Sequence, residues 1–128
     1  MIQPVATDLY ASKAPLEWAV VGNGILFTAQ IPIGADGQVV AGGIEAQTRQ
    51  TLDNLRHTLA CAGADMAALT QVLIYVTARD DLAEVNRVYA EYVAPPYPNR
   101  AAIIVSGFAR EAMRIEMVAY AALEAAGS

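Results

Sequence analysis

Two segments of the sequence are apolar on both faces of the strands that they predict, residues 69–77 and residues 114–123. A strand with one face in water should alternate apolar and polar residues, because successive side chains point to opposite faces. The first segment places Val72, Ile74 and Val76 on one face and Leu73 and Tyr75 on the other. In the second, Ile115, Met117, Ala119 and Ala121 oppose Val118, Tyr120 and Ala122. Two helices can cover only one face of such a sheet, so the pattern predicts an obligate oligomer packed through the second face.

Turn signals and periodicity divide the rest of the chain into short elements. Residues 18–29 predict a β-hairpin around Asn23-Gly24, after an N-terminal arm, residues 1–15, that shows no clear period. Apolar residues at helical spacing predict a first helix over residues 44–62, and Gly63 ends it. A second helix is expected to begin at Asp80 or Asp81, with Glu84 in a capping-box position, and to end before Pro95.

The last two strands are expected over residues 101–106 and 114–123, paired antiparallel through a turn around Gly107. The resulting order, β-β-α-β-α-β-β, predicts an α+β fold with two helices on one face of a mixed sheet. No repeat or linker divides the chain, so residues 1–128 are expected to form a single domain.

Composition and charge exclude several classes of function. The net charge is −5 and the basic residues are scattered, so no nucleic-acid partner is expected. Residues 18–35 are uncharged over a length that a membrane helix would need, but the glycines, asparagine and proline among them indicate turns. The chain opens without the pattern of a signal peptide and contains one cysteine. We therefore predict a cytoplasmic protein that does not bind membranes.

One helical spacing could present metal ligands. Asp53, His57 and Cys61 follow one another at i, i+4 and i+8 on the first helix. They fall opposite its apolar stripe and lack an evident fourth ligand, so a solvated helix face is the simpler interpretation. We predict no metal site.

Two charged residues stand beside or within apolar strands. Arg100 precedes the segment 101–106, and Glu116 lies inside the last strand. One interpretation is structural: a buried Arg–Glu ion pair, or an arginine that caps a helix. The other is a pocket for an anion, in which the arginine binds a carboxylate and the glutamate activates water. Tyr97 and Tyr89 could wall this pocket, although core packing is simpler for Tyr89.

The order and spacing of several motifs resemble the RidA (reactive intermediate/imine deaminase) family. They are "TAQIPIGADGQVV", "GGIEAQTRQTLDNLRHTLACAGADMAALTQVLIYV", "DLAEVNRVYAEYV", "YPNRAAIIV" and "RIEMVAYAAL", within residues 18–123. The resemblance implies a chorismate-mutase-like fold and a homotrimer whose sheets form a barrel, with active sites between subunits. It further implies that Arg100 binds the carboxylate of a 2-imino acid and that Glu116 positions the attacking water. The backbone of Thr28, Ala29 and Gln30 would hold the substrate, and Asn86 and Tyr89 would shape the cleft.

The sequence departs from this family in one segment of the expected site. Where the family commonly has Gly-Pro-Tyr-Ser-Gln, this chain has Ala14-Pro15-Leu16-Glu17-Trp18, so the usual tyrosine is missing and Glu17 and Trp18 are expected to remodel the pocket. The implied function is hydrolytic deamination of 2-imino acids or enamines to 2-keto acids and ammonia, without a cofactor. Two alternatives stay open: a pathway-specific deaminase of an aminoacrylate-like or aminomuconate-like enamine, and a non-catalytic trimer that binds small molecules or acts as a chaperone.

Overall fold

A computed structural model of the chain describes residues 1–124. Six strands form one sheet in the order β1-β2-β3-β6-β4-β5, and every neighbouring pair is antiparallel except β4 and β5. The strands are β1 Gln3–Pro4, β2 Ala19–Gly22, β3 Ile25–Gln30, β4 Leu69–Val76, β5 Asn99–Ile104 and β6 Ile115–Ala122. The helices are α1 Gly43–Cys61 and α2 Leu82–Tyr89, and short 3-10 turns span Met66–Ala68 and Arg79–Asp81. The predicted mixed-sheet α+β fold with two helices is confirmed; the short β1, in the arm, was not predicted.

The predicted pairing of the last two strands is wrong. Strand β5 lies at the sheet edge and pairs in parallel with β4, with Arg100 opposite Val72. Strand β6 lies between β3 and β4 and is antiparallel to both. The reason is the connection through α2, because a helical crossover returns the chain to the end of the sheet where β4 began, and β5 then runs in the same direction.

The core lies between the helices and one face of the sheet. Val72, Ile74 and Val76 of β4 are fully buried there, as are Leu52, Leu55 and Leu59 of α1 and Val85 and Val88 of α2. On the other face of the sheet, Leu73 and Tyr75 are only half-buried. Phe27 is 41% exposed on that face and packs edge-to-face on Tyr120, with ring centroids 5.4 Å apart. The apolar open face that suggested an oligomer is therefore present in the folded chain.

The predicted end of α1 and the predicted β2–β3 turn are confirmed. The second helix ends at Tyr89, earlier than Pro95 predicted, and its predicted capping is wrong. Gly63 adopts a φ of 77° just after α1, and Asn23 and Gly24 have positive φ in the β2–β3 turn. Asp81 precedes α2 but makes no capping hydrogen bond. Its buried carboxylate instead accepts hydrogen bonds from Arg114 Nε at 3.1 Å and Nη2 at 2.6 Å, because an ionised arginine is the stronger partner.

Neither helix within residues 1–124 combines the length and the apolar character needed to cross a membrane.

Candidate active site

Arg100 is held at the edge of the sheet by two residues of α2. Its Nη2 donates to Asn86 Oδ1 at 2.8 Å, and its guanidinium carbon lies 5.0 Å from the centre of the Tyr89 ring. The parallel register with Val72 directs Arg100 toward the helix-covered face, which brings it to these residues. Arg100 is exposed and takes part in none of the ion pairs among residues 1–124. The buried Arg–Glu pair is therefore wrong, and the guanidinium has N–H groups left for an anion.

Tyr89 combines core packing with support of this arginine. The residue is only 6% exposed, and its hydroxyl has no hydrogen-bond partner among the described residues. Burial raises the pKa of its phenol, and the charge of Arg100 opposes that rise. The face of the ring remains in contact with Arg100. Tyr97, three residues before the arginine, is 66% exposed.

Glu116 lies on the open face of the sheet, opposite Tyr75 of β4. It is half-buried, and burial raises the pKa of its carboxyl above the ordinary value of 4.5. No hydrogen bond or ion pair joins this carboxyl to another residue in the part of the chain that the structure describes. The group is thus available to a ligand.

Glu116 lines a cavity of about 360 Å³. Its lining comprises Ser12, Ala14, Leu16, Glu17, Trp18, Ala29, Ile31, Ala109, Arg110, Met113 and Glu116. We call this space the Glu116 cleft. The segment that departs from the RidA pattern, residues 14–18, forms one wall of it, which is where the sequence predicted a remodelled pocket.

Strand β3 contributes to the cleft through only one of the three residues named from the sequence. Ala29 faces the cleft, whereas the buried Thr28 and Gln30 point toward the helices. Gln30 Nε2 donates to the hydroxyls of Thr28 and Thr58, each at 2.9 Å, and Thr28 in turn donates to the carbonyl of Trp18. These side chains are occupied in the core, so only the backbone of this stretch is left for a ligand in the cleft.

Sequence reasoning missed Ile31, Arg110 and Met113 as lining residues of the cleft. Ile31 follows Ala29 by two residues, so strand alternation could have placed it. Arg110 and Met113 lie in the irregular connection 105–114, where no periodic signal exists.

Arg100 and Glu116 do not meet within one chain. They lie opposite Val72 and Tyr75, and side chains an odd number of residues apart on β4 point to opposite faces. A site that uses both residues therefore needs a second copy of the chain.

The possible metal ligands are engaged elsewhere. The Asp53 carboxylate accepts from the Tyr92 hydroxyl at 2.7 Å, and His57 Nε2 accepts from the backbone N–H of Asp8 at 3.0 Å. Cys61 Sγ lies 3.4 Å from the same nitrogen. Over residues 1–124, no group of three His, Cys, Asp or Glu side chains is arranged to hold a metal ion.

The fold is that of the conserved Rid proteins. The structure of YyfA from Yersinia pestis, described as a protein of unknown function of the Rid family, superimposes with a TM-score of 0.91 at 30% identity, covering 96% of this chain and all of that one. The YjgF gene product of E. coli superimposes with a TM-score of 0.85 at 28% identity, covering 95% and 99%.

The sequence comparisons identify the same family. The sequence model of the family described as endoribonuclease L-PSP matches residues 7–123. A RutC family protein of Pyrococcus horikoshii is 38% identical over 101 residues, which are 77% of this chain and 80% of that protein. The mitochondrial protein mmf1 of Schizosaccharomyces pombe is 36% identical over 80% of this chain and 63% of its own length. The chain belongs to the RidA family, which is also called the L-PSP or YjgF family.

Proposed function

We propose that this protein hydrolyses 2-imino acids and their enamine tautomers to 2-keto acids and ammonia. The observation that carries the proposal is the presentation of Arg100, which Asn86 and the Tyr89 ring hold in place without neutralising it. A guanidinium fixed in this way suits bidentate binding of a substrate carboxylate. Family membership supports the choice of substrate class.

The proposed assembly is a homotrimer packed through the open sheet face. The half-exposed apolar and aromatic side chains on that face support it, because contiguous exposed apolar surface marks an interface. In this assembly the Arg100 edge of one copy would meet the Glu116 cleft of another. A monomer in light scattering at micromolar concentration would contradict this assembly.

The chemistry needs orientation and one proton acceptor. Arg100 binds the carboxylate, and Glu116 takes a proton from a water molecule whose oxygen adds to the C=N carbon. Glu116 passes that proton to the imine nitrogen, which gives a carbinolamine. Glu116 then moves the proton of the carbinolamine hydroxyl to the amino group, and the C–N bond breaks to release ammonia as the C=O bond forms. An enamine first takes a proton on carbon and loses one from nitrogen, which gives the imine. The C=N carbon is already electrophilic, so the proposed reaction requires no cofactor.

The raised pKa of Glu116 fits this role. Burial in an apolar cleft strengthens the carboxylate as a base, because the charged form is less well solvated there. A base is most effective when its pKa lies nearer the working pH.

The test generates imines with an amino-acid oxidase and traps the unhydrolysed fraction with semicarbazide. Wild type should suppress trapping. Arg100→Ala should lose about 30-fold to several thousand-fold in kcat/KM, as expected when the charge partner of a substrate carboxylate is removed from the proposed site between copies. The matched control is Arg79→Ala, which removes an exposed arginine from a 3-10 turn. The proposal would be refuted if wild type hydrolysed none of the imines, or if the Arg100→Ala variant kept wild-type activity.

Two other functions make different predictions in the same experiments. A pathway-specific deaminase would hydrolyse none of the imines made from common amino acids. It would act on an aminoacrylate-like or aminomuconate-like enamine. A binding or chaperone trimer would bind 2-keto acids without hydrolysing any imine.

The family's description also names an endoribonuclease. The charge distribution does not favour that activity here, since RNA backbones are bound mainly by free basic side chains. Four arginines, Arg49, Arg56, Arg87 and Arg114, already pair with carboxylates of the same chain.

A further inference from the structure

The Glu116 cleft is lined by a positively charged side chain, Arg110, that has no role in the proposed reaction. Arg110 lies in the connection 105–114 and lines the cleft together with Glu116. Its Nη1 donates to the carbonyl oxygen of Gly37, and this bond fixes one side of the guanidinium. The remaining N–H groups of Arg110 make no hydrogen bond with residues 1–124.

The charge of Arg110 is also uncompensated among the described residues. Four other arginines each have a carboxylate oxygen within 4.0 Å, whereas Arg110 does not. No ion pair within 4.0 Å joins Arg110 to Glu116, so these two residues of the cleft do not neutralise each other. Arg110 and Glu116 are both left to act on a bound molecule.

The rest of the cleft makes an unpaired cation costly. Leu16, Trp18, Ile31 and Met113 give it apolar walls. A substrate with an apolar side chain would displace water from Arg110 and offer no partner in return, whereas a carboxylate would satisfy its donors. The other charged residue in the lining, Glu17, is exposed and makes no hydrogen bond with residues 1–124, so it is not fixed in the way Arg110 is.

We infer that Arg110 makes the cleft selective for substrates whose side chain carries a second carboxylate, as in imines derived from acidic amino acids. This inference rests on the proposed function for the site itself. The carboxylate next to the C=N bond would bind Arg100 of a neighbouring copy, the C=N carbon would lie near Glu116, and the distal carboxylate would bind Arg110.

The first experiment compares two imines of equal chain length, one from glutamate and one from norvaline, which lacks the distal carboxylate. Wild type should hydrolyse the glutamate imine with the higher kcat/KM. Arg110→Gln should lower that value about tenfold to hundredfold and change the value for the norvaline imine less than about twofold. Arg110→Lys should lie between them, because lysine keeps the charge but loses the planar fork.

A second measurement does not depend on turnover. The single tryptophan, Trp18, lines the cleft, so its fluorescence can report binding of 2-oxopentanedioate and of 2-oxopentanoate. The dicarboxylate should bind wild type at least about tenfold more tightly, and Arg110→Gln should abolish the difference. Arg79→Gln, which removes an exposed arginine outside the cleft, is the matched control and should not weaken dicarboxylate binding.

The outcomes separate this inference from the proposed function. Equal losses on both imines in Arg110→Gln would assign Arg110 a structural role and overturn the inference. A wild-type preference for the norvaline imine would also overturn it. So would a preference for an imine with a cationic side chain, if the Glu17→Gln substitution abolished that preference. If hydrolysis depends on Arg100 but Arg110→Gln has no effect, the inference is refuted and the proposed function stands. If wild type hydrolyses no imine but still discriminates the two keto acids through Arg110, the proposed hydrolysis is refuted. The inference then stands as a binding preference.

Discussion

Arg100 and Glu116 lie on the two strands that flank β4, but on opposite faces of the sheet. Arg100 is opposite Val72, which the helices bury, and Glu116 is opposite Tyr75 on the open face. The β4 backbone separates the two side chains within a chain. A joint site can arise only when the edge of one copy meets the open face of another.

In the proposed homotrimer, this geometry predicts that two inactive variants restore activity when they assemble together. Arg100→Ala and Glu116→Gln, coexpressed with different tags, give doubly tagged trimers in which one of three interfaces combines an intact Arg100 with an intact Glu116. Such trimers should recover about a third of wild-type activity, by the cyclic symmetry of the assembly. Trimers of either variant alone are the control. Mixed trimers without activity would mean that the site does not lie between copies.

Asn86 should prove important because it positions Arg100. Asn86→Ala removes the acceptor of the Nη2 hydrogen bond and should lower kcat/KM about tenfold, since hydrogen bonds to charged groups are stronger than neutral ones. Asn86→Asp keeps an acceptor but adds a carboxylate that competes with the substrate, so it should raise KM more than it lowers kcat. Wild-type kinetics in both variants would show that the contact does not matter for the reaction.

The raised pKa of Glu116 predicts a pH-dependent gain in stability when the charge is removed. Burial disfavours the ionised carboxyl in the folded state, so stability contributed by Glu116 is complete below its ordinary pKa of 4.5 and is lost as pH rises through the raised folded-state pKa. Glu116→Gln should therefore have a higher Tm than wild type at pH 7.5, with the difference disappearing below about pH 4.5. Thermal melts across this range check it, and a lower Tm for the variant at pH 7.5 would contradict it.

The same titration should shape the activity profile. If Glu116 acts as the base, kcat should fall on acidification with an apparent pKa above 4.5, because the protonated acid cannot accept a proton from water. Any residual activity of Glu116→Gln should lack this acid limb.

The Asp81–Arg114 pair should contribute to stability more than the exposed ion pairs. Asp81 is 6% exposed and bound at two oxygens, and loss of Arg114 would leave its charge buried without a partner. Because the Arg114 side chain is itself 43% exposed, Arg114→Met should cost about 2 kcal/mol in the free energy of unfolding.

The comparison is Glu84→Gln, which breaks an exposed pair with Arg87 and should cost less than about 1 kcal/mol. Both are measured by urea unfolding at one protein concentration, because oligomer stability depends on concentration. Equal losses in the two variants would remove the distinction between buried and exposed pairs.

Local patterns predicted the elements well because their causes are local. The apolar spacing of Leu52, Leu55 and Leu59 marked α1, and Asn23-Gly24 marked the hairpin turn. The prediction of strand pairing was wrong, because the alternation of side chains indicates which face a residue occupies but not which strand lies beside it. The role of Asp81 failed for a related reason: its partner, Arg114, is distant along the chain.

The sequence by itself determined the α+β class, the two-faced apolar strands, and the family motifs that single out Arg100 and Glu116, because periodicity and residue type are properties of neighbouring positions. Only the tertiary structure decided that β5 lies at the edge, that Arg100 rests on Asn86 and Tyr89, and that Glu116 faces away from it. It also brought Arg110, from a connection without any periodic signal, into the Glu116 cleft. These placements depend on the crossover through α2 and on the path of the connection back across β4, and contacts between distant segments form only when the whole chain folds.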